Sequence, residues 1–174
     1  MKAIIIATTK NRSEWAKQCY DSLNGYTRYP VIILDHYEYE LGKIRWVIEN
    51  TNLDEFILLQ DSVVLKSTEW LDEVFDHNGS VSFAKRPFFM YLGKYRRTAL
   101  EQNGMPTVSS KQQSVDYEDT WTKAYAENEN FITLFDLSDT NHFQEHLGRN
   151  NMIIENDKLV KYKHIWSDDM IYDY

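Results

Sequence analysis

The sequence has few of the residues that interrupt or cross-link a chain. Its 174 residues include six glycines, three prolines and one cysteine, Cys19. The scarcity of glycine argues against a glycine-rich phosphate loop, and the scarcity of both glycine and proline argues against disordered linkers. A single cysteine excludes an internal disulfide. It is typical of a protein in a reducing cytoplasm, either of a bacterial cell or of a virus-infected host cell.

Long apolar runs are missing as well. The run Ala3–Ala7 is too short for a signal-peptide core or a membrane span, so we expect a soluble protein without a membrane partner. The net charge of −8 counts against nucleic acid as the main partner, although it leaves a local basic patch open. The length and the apolar fraction of 43% fit one domain over residues 1–174.

The first half of the chain alternates buried-strand patterns with helical patterns. Strands are predicted at Lys2–Thr8, Pro30–Leu34 and Glu55–Leu59. Helices are predicted to start at Asn11, which fits a capping box with Glu14, and to cover Leu41–Asn50. This order predicts right-handed crossovers and an α/β fold with a Rossmann-like, doubly wound, mostly parallel central sheet.

The second half does not alternate in this way. Its predicted elements are a helix at Glu69–Phe75, a strand at Val81–Ala84, a loop at 103–114, a helix at Val115–Glu127, a strand at Phe131–Leu137 and a hairpin with arms Met152–Ile154 and Leu159–Ile165. We therefore expect a nucleotide-binding half at about 1–65 and an acceptor-side half at about 66–174.

A carboxylate follows the central strand directly. Asp61 comes just after Glu55–Leu59, and open α/β sheets bind ligands beyond the carboxyl ends of their strands. Asp61 is therefore a candidate for contact with a ligand or a metal. The alternative is an aspartate that caps a turn. Thr8 and Asp35 also stand at the ends of predicted strands, but their position alone gives them no further support as site residues.

Four segments together resemble the nucleotide-sugar glycosyltransferases with the type A fold, especially the broad family-two group. The segments are IIATTKNR (Ile5–Arg12), VIILD (Val31–Asp35), LLQDSVVL (Leu58–Leu65) and DYEDTW (Asp116–Trp121). The resemblance covers roughly the first 125 residues. It implies transfer of a sugar from a nucleotide diphosphate donor, with uridine as the expected nucleoside, to an acceptor hydroxyl with inversion.

The resemblance also implies roles for single residues. Thr8, Arg12 and Asp35 would bind the nucleotide, and Asp61 would bind a divalent Mn²⁺ or Mg²⁺ and the diphosphate. The family's DXD motif reads Asp61-Ser62-Val63 here, with one carboxylate where two are common. His164 is a candidate to complete the metal site. The alternative for His164 is a partly buried strand histidine, and the alternative for Arg12 is a solvated residue in the first turn of a helix.

The general base implied by the resemblance is Asp119, with Glu118 in reserve. Both acids stand near the start of the helix predicted at Val115–Glu127. The alternative is that two acids in a first turn are only favourable with the helix dipole. A non-catalytic module that binds nucleotide sugars or nucleic acid is a further alternative, supported by the incomplete DXD motif.

Two other functions have sequence support. The segment His142–His146 matches the H-x-x-E-H pattern of inverted zinc peptidases, with Glu145 as the base, provided that the segment is helical. A basic cluster with aromatic neighbours could bind DNA, so that a hydroxymethylated base in viral DNA would be the acceptor. Its members are Tyr91, Lys94, Tyr95, Arg96 and Arg97. The alternative is a solvated basic edge.

Overall fold

Two β-sheets and five α-helices make up the described part of the chain. The computed structural model describes residues 1–36, 39–83, 92–134 and 138–164, apart from the side chains of 111, 118, 119, 138–142 and 164. The strands are β1 (Lys2–Thr8), β2 (Val31–Asp35), β3 (Glu55–Gln60), β4 (Val63–Leu65), β5 (Val81–Ser82), β6 (Gly93–Arg96), β7 (Ile132–Thr133), β8 (Ser138–His146), β9 (Arg149–Glu155) and β10 (Leu159–His164). The helices are α1 (Ser13–Ser22), α2 (Glu40–Asn50), α3 (Trp70–Asp76), α4 (Arg97–Asn103) and α5 (Lys111–Glu127).

The larger sheet has the strand order β2-β1-β3-β6-β5-β7. β1 pairs in parallel with both β2 and β3, and β5 pairs in parallel with β7. Only β6 runs antiparallel to its two neighbours within this described sheet. The predicted α/β fold with a mostly parallel sheet is confirmed.

β1 is buried on both faces because each face meets a different hydrophobic cluster. Ala3, Ile5 and Ala7 pack into a cluster that includes residues of α2, α4 and α5. Ile4 and Ile6 pack on the opposite face with residues of α1 and α3. The continuous apolar run of this strand thus reflects its position between two helical layers.

β2 differs from the prediction. It was expected to be a buried strand, but it forms the edge of the sheet, and Ile32 and Ile33 are 36% and 47% exposed. Only Leu34 in this strand is buried. The apolar run therefore predicted the strand correctly but predicted its burial wrongly. The sequence alone does not show whether a strand lies inside a sheet or at its edge.

Several boundaries also differ from the prediction. Asn11 lies in a short 3-10 helix, Lys10–Arg12, and α1 begins after Arg12 without a side-chain cap. α5 begins at Lys111, with Ser110 as its cap. The loop predicted at 103–114 is therefore shorter than expected and covers 104–110. Within the described ranges, no helix combines the length and the apolar character needed to cross a membrane.

The smaller sheet is antiparallel, with the order β4-β10-β9-β8. The predicted hairpin is confirmed as β9 and β10 within the described residues. β10 pairs with β4, and the amide of Tyr162 donates to the carbonyl of Ser62 at 2.9 Å. Because β4 follows β3 after a two-residue turn, this pairing brings β10 to the carboxyl end of β3.

Candidate functional site

The carboxyl ends of three parallel strands meet at one edge of the larger sheet. In the strand register Thr8 lies opposite Asp35, and Ala7 lies opposite Gln60. The amide of Asp61 donates to the carbonyl of Ala7 at 3.0 Å. The predicted residues Thr8, Asp35 and Asp61 therefore stand at the carboxyl ends of neighbouring strands, at the edge where such sheets bind ligands.

Asp61 is buried, and both of its carboxylate oxygens are engaged. Arg12 Nε donates to Oδ2 at 2.7 Å, and Arg12 Nη2 donates to Oδ1 at 2.8 Å. The hydroxyl of Thr8 also donates to Oδ2, at 2.9 Å. This is the two-pronged geometry in which a guanidinium and a carboxylate bind each other most strongly. Three of the roughly four lone-pair positions of the carboxylate are thus occupied.

Arg12 is held in place from a second side. Its guanidinium carbon lies 5.1 Å from the centre of the Trp15 ring, close enough for a cation–π contact. Trp15 is itself buried in α1. Arg12 is therefore fixed in the site by Asp61 and Trp15, and the solvated alternative considered for it does not describe this side chain.

Lys161 brings a second cation to the same edge. It is 7% exposed and lies on β10, opposite Val63 of β4. Burial lowers its pKa to about 8. The negative charges of Glu40 and Asp61 oppose this shift, and the positive charges of Lys163 and Arg12 add to it. Among the described residues, none forms a hydrogen bond or an ion pair with its ammonium group.

Glu40 and Gln60 line the edge next to these residues. Gln60 ends β3 and Glu40 begins α2, and the Gln60 amide donates to Glu40 Oε1 at 2.8 Å. The carboxylate of Glu40 is the largest attractive charge acting on Lys161. We refer to Thr8, Arg12, Glu40, Asp61 and Lys161 together as the carboxyl-edge site.

Lys161 and Glu40 were missed by the sequence analysis. For Lys161 a signal existed, because Leu159 and Lys161 are two residues apart on one strand and so point to the same face. Leu159 is completely buried. The alternating pattern of this strand could therefore have indicated a buried lysine. For Glu40 we find no comparable signal. Asp35, which was predicted, is exposed at the end of β2.

The described residues do not fit a divalent metal at this edge. Asp61 is already neutralised by Arg12, and a metal bound to the same carboxylate would lie beside the guanidinium cation. The described part of the chain contains no group of three or more histidine, cysteine or acidic residues that could hold a metal. His164 ends β10, but its side chain lies outside the described residues.

The predicted general bases both lie on α5. Asp119 and Glu118 lie in the middle of α5, which begins at Lys111, rather than in a first turn. A favourable interaction with the helix dipole therefore does not account for them, since that effect is confined to the first turn. Their side chains lie outside the described residues, so their catalytic role stays a prediction.

The basic cluster predicted for an acceptor is largely turned into the protein. Lys94 and Tyr95 are completely buried, and Lys94 Nζ lies 3.2 Å from Glu55. Arg97 donates to three main-chain carbonyls, and Arg96 pairs with Glu129 at 2.8 Å. With these contacts, Lys94, Arg96 and Arg97 form neither an exposed DNA-binding face nor a solvated basic edge. Tyr91 lies outside the described residues.

The zinc-peptidase motif lies on a strand, so the helix assumed for it is wrong. Residues 142–146 belong to β8. Residues four apart on a strand are separated by roughly 13 Å, whereas zinc ligands lie about 2 Å from the same ion. His146 instead stacks on Tyr162 at 4.1 Å between ring centres, and its Nε2 lies 2.7 Å from the amide oxygen of Gln18. The side chain of His142 is not among those described.

Comparisons with known proteins identify similar folds. No protein-family model and no curated protein sequence matches the chain. TarS from S. aureus (residues 1–349) is similar in structure, with a TM-score of 0.51, 10% identity, and coverage of 76% of this chain and 57% of TarS. For TarS in complex with UDP the TM-score is 0.50 and the identity is 14%, with coverage of 77% of this chain and 58% of TarS. For A197 from STIV the TM-score is 0.50 and the identity is 10%, with coverage of 99% of both chains.

These similarities concern the fold. At 10 to 14% identity they show that the chain shares the α/β fold of TarS and of A197. The chain spans a little over half of the TarS chain that it matches.

Proposed function

We propose that this protein transfers a sugar from a uridine diphosphate sugar to an acceptor hydroxyl group. The observation that carries the proposal is the carboxyl-edge site, where Thr8, Arg12, Asp61 and Lys161 assemble beyond the carboxyl ends of parallel strands. Buried polar and charged side chains at this edge are typical of a ligand site in an α/β sheet. Arg12 and Asp61 offset each other's charge, and the ammonium group of Lys161, which no described residue hydrogen-bonds, suits an anionic ligand.

The fold supports a nucleotide donor. The α/β fold is shared with TarS, which has been crystallised with UDP. On this proposal the uridine diphosphate lies across the ends of β1 and β3, next to Arg12. The exposed carboxylate of Asp35, at the end of β2, is available to the nucleoside.

We assign the acceptor side to α5. Asp119 is the proposed base that removes the proton from the acceptor hydroxyl as the sugar is transferred with inversion, and Glu118 is the reserve. We do not extend the proposal to a DNA acceptor, because the cationic groups of Lys94, Arg96 and Arg97 already bind groups of the protein itself.

The test measures donor binding and donor cleavage separately. Calorimetric titration with UDP and a panel of UDP-sugars should give saturable binding. Release of UDP from the best donor, with water as the acceptor, should then be measured for the wild type and for Asp119→Asn. We expect UDP release to fall by roughly 10²- to 10⁴-fold with unchanged UDP binding, because removing a general base affects the chemical step.

Asp116→Asn is the matched control, since Asp116 is an exposed acid on the same helix. It should leave UDP release unchanged. If Glu118→Gln gives the loss instead, the reserve assignment is the correct one. If no UDP-sugar binds at all, the proposed function is wrong.

A second candidate is a binding module that has no catalytic activity. The paired state of Asp61 favours it, because the residue at the DXD position is engaged by the protein. It predicts UDP-sugar binding without UDP release, and no effect of either Asp119→Asn or Glu118→Gln.

A further inference from the structure

We infer that Lys161 binds the diphosphate of the donor directly and supplies the positive charge for which related folds use a divalent metal. This inference rests on the proposed function. It follows from three features of the carboxyl-edge site: the engagement of both Asp61 oxygens, the lack of a hydrogen bond from any described residue to the Lys161 ammonium group, and the position of β10.

The first feature is that the acid at the DXD position is not available. Both oxygens of Asp61 accept hydrogen bonds from Arg12, and one also accepts from Thr8. The pair carries no net charge, so Asp61 does not attract a second cation as a free carboxylate would. Its observed effect is to fix the guanidinium at the end of β3.

The second feature is that Lys161 is largely buried and that no described residue hydrogen-bonds its ammonium group. Its side chain is 7% exposed, and among the described residues no acceptor bonds its ammonium group. Partial removal of an ammonium group from water without a hydrogen-bond partner is costly to the fold. The two acids whose charges act on it are both engaged elsewhere, Asp61 with Arg12 and Glu40 with Gln60. A phosphate oxygen would supply the missing partner.

The third feature is that the lysine reaches the site from the second sheet. Lys161 lies opposite Val63 on β4, two residues after Asp61. The backbone bond from Tyr162 to Ser62 holds β10 at this point. Its ammonium group is therefore placed by main-chain pairing at the carboxyl end of β3, where a diphosphate beside Arg12 would lie.

The structural alternative is that Lys161 only packs its aliphatic stem beside Leu159, which is completely buried. In that case replacing it with an apolar side chain of similar length would leave ligand binding unchanged. A phosphate-binding role and a packing role of Lys161 predict different values for one quantity, the difference in affinity between UDP and uridine.

The experiment compares UDP with uridine in EDTA, for the wild type, Lys161→Met and Lys163→Met. Lys163→Met is the matched control, because Lys163 is an exposed lysine on the same strand. We expect wild-type UDP binding to persist in EDTA and to change less than twofold on addition of Mn²⁺. Lys161→Met should weaken UDP binding by about 10- to 100-fold, the size of a lost charge-assisted hydrogen bond. It should leave uridine binding unchanged, and Lys163→Met should bind UDP as the wild type does.

Two results would overturn the inference while leaving the proposed function in place: UDP binding that requires Mn²⁺, or UDP binding by Lys161→Met as tight as that of the wild type. The first needs no variant, so the inference stays testable even if Lys161→Met fails to fold. Absence of UDP binding with and without Mn²⁺ would overturn both the inference and the proposed function.

Discussion

Arg12 and Lys161 are two cations of one site in different surroundings. Arg12 is matched by a carboxylate in contact with two of its nitrogens, whereas among the described residues Lys161 has charges around it but no hydrogen-bonded partner. A buried charge costs little when its partner is present and a great deal when the partner is removed. Removing the charge of Asp61, the partner of Arg12, and removing the charge of Lys161 should therefore have opposite effects on stability.

Removing the charge of Asp61 should destabilise the protein. Asp61→Asn leaves the Arg12 guanidinium without its counter-charge, in a place where Arg12 and Asp61 are 19% and 7% exposed. We expect a loss of about 3 kcal/mol in the free energy of unfolding, measured by urea denaturation. Asp35→Asn, at the exposed end of β2, is the control and should change stability by less than about 0.5 kcal/mol. Equal stability of Asp61→Asn and the wild type would mean that the pair does not contribute.

Removing the charge of Lys161 should stabilise the protein, in a way that depends on pH. Burial lowers its pKa from 10.5 to about 8, so between these values the unfolded chain holds a proton that the folded chain has lost. Stability therefore rises with pH across this window, by up to about 1.4 kcal/mol per pH unit. Below pH 8 the charged, buried form makes the wild type less stable than Lys161→Met.

The measurement is urea unfolding of both proteins at pH 7.5, 8.5 and 9.5. The advantage of Lys161→Met should shrink as the pH rises. Taking the difference between the two proteins cancels groups such as Tyr125, whose burial raises its pKa to about 12 and which lowers stability at high pH. A difference that does not vary with pH would show that Lys161 titrates normally.

At the level of single residues the sequence indicated part of the site. Asp61 was identified because a carboxylate at the end of a buried strand has a predictable position in an α/β sheet, and Thr8 and Asp35 were identified from the resemblance to the glycosyltransferases. Lys161 and Glu40 reach the site from β10 and α2, and their positions depend on how those elements pack. The partner of Asp61 was also unpredictable, because a sequence does not distinguish a carboxylate that binds a ligand from one that binds an arginine.

At the level of elements, β1 and β2 show that similar sequences can be buried to different extents. Both are rich in isoleucine, and Ile6 and Ile33 lie opposite each other in the strand register. Ile6 is completely buried and Ile33 is 47% exposed. The difference arises because helices cover both faces of β1, whereas β2 is the edge strand.

This pair gives a matched test of the sheet order. Ile6→Ala should cost about 2–5 kcal/mol of unfolding free energy, because it leaves a cavity between the sheet and the helices. Ile33→Ala removes the same atoms from a half-exposed position and should cost less than about 1 kcal/mol. Urea denaturation of both variants checks the expectation, and equal losses would contradict the assignment of β2 to the edge.

The elements that the sequence did not predict have physical reasons. β6 begins at Gly93, where an added Cβ would lie 2.1 Å from the carbonyl oxygen of Val81, and it carries the buried Lys94. Glycine and lysine are poor strand formers, so packing overrides propensity here. β8 has nine largely polar residues without strict alternation, so hydrophobic periodicity gave no signal for a strand.

At the level of the whole molecule, the carboxyl-edge site joins the two sheets. Thr8 and Asp61 come from the larger sheet and its following turn, and Lys161 comes from the smaller one. A ligand that touches both sides binds the folded state and not the unfolded chain. Its binding free energy therefore adds to the stability of the whole domain.

UDP should accordingly raise the melting temperature. At about 100 times its dissociation constant, a ligand adds about 2.7 kcal/mol, which corresponds to roughly 5–10 °C for a chain of this size. Thermal denaturation followed by circular dichroism at increasing UDP concentrations measures the shift. Uridine at the same concentrations should give a smaller shift, because it lacks the diphosphate. An unchanged melting temperature at millimolar UDP would contradict the assignment of the site.

The pairing of β4 with β10 also bears on how the protein reaches its folded state. Val63 and Lys161 are neighbours in space but about 100 positions apart along the chain. Bringing such distant segments together requires a large loss of chain entropy before their contacts are formed, and proteins rich in such pairings fold slowly. The parallel strands β1 and β3 are closer in sequence and can associate first. A partly folded chain of this kind would contain Arg12 and Asp61 but would still lack the lysine.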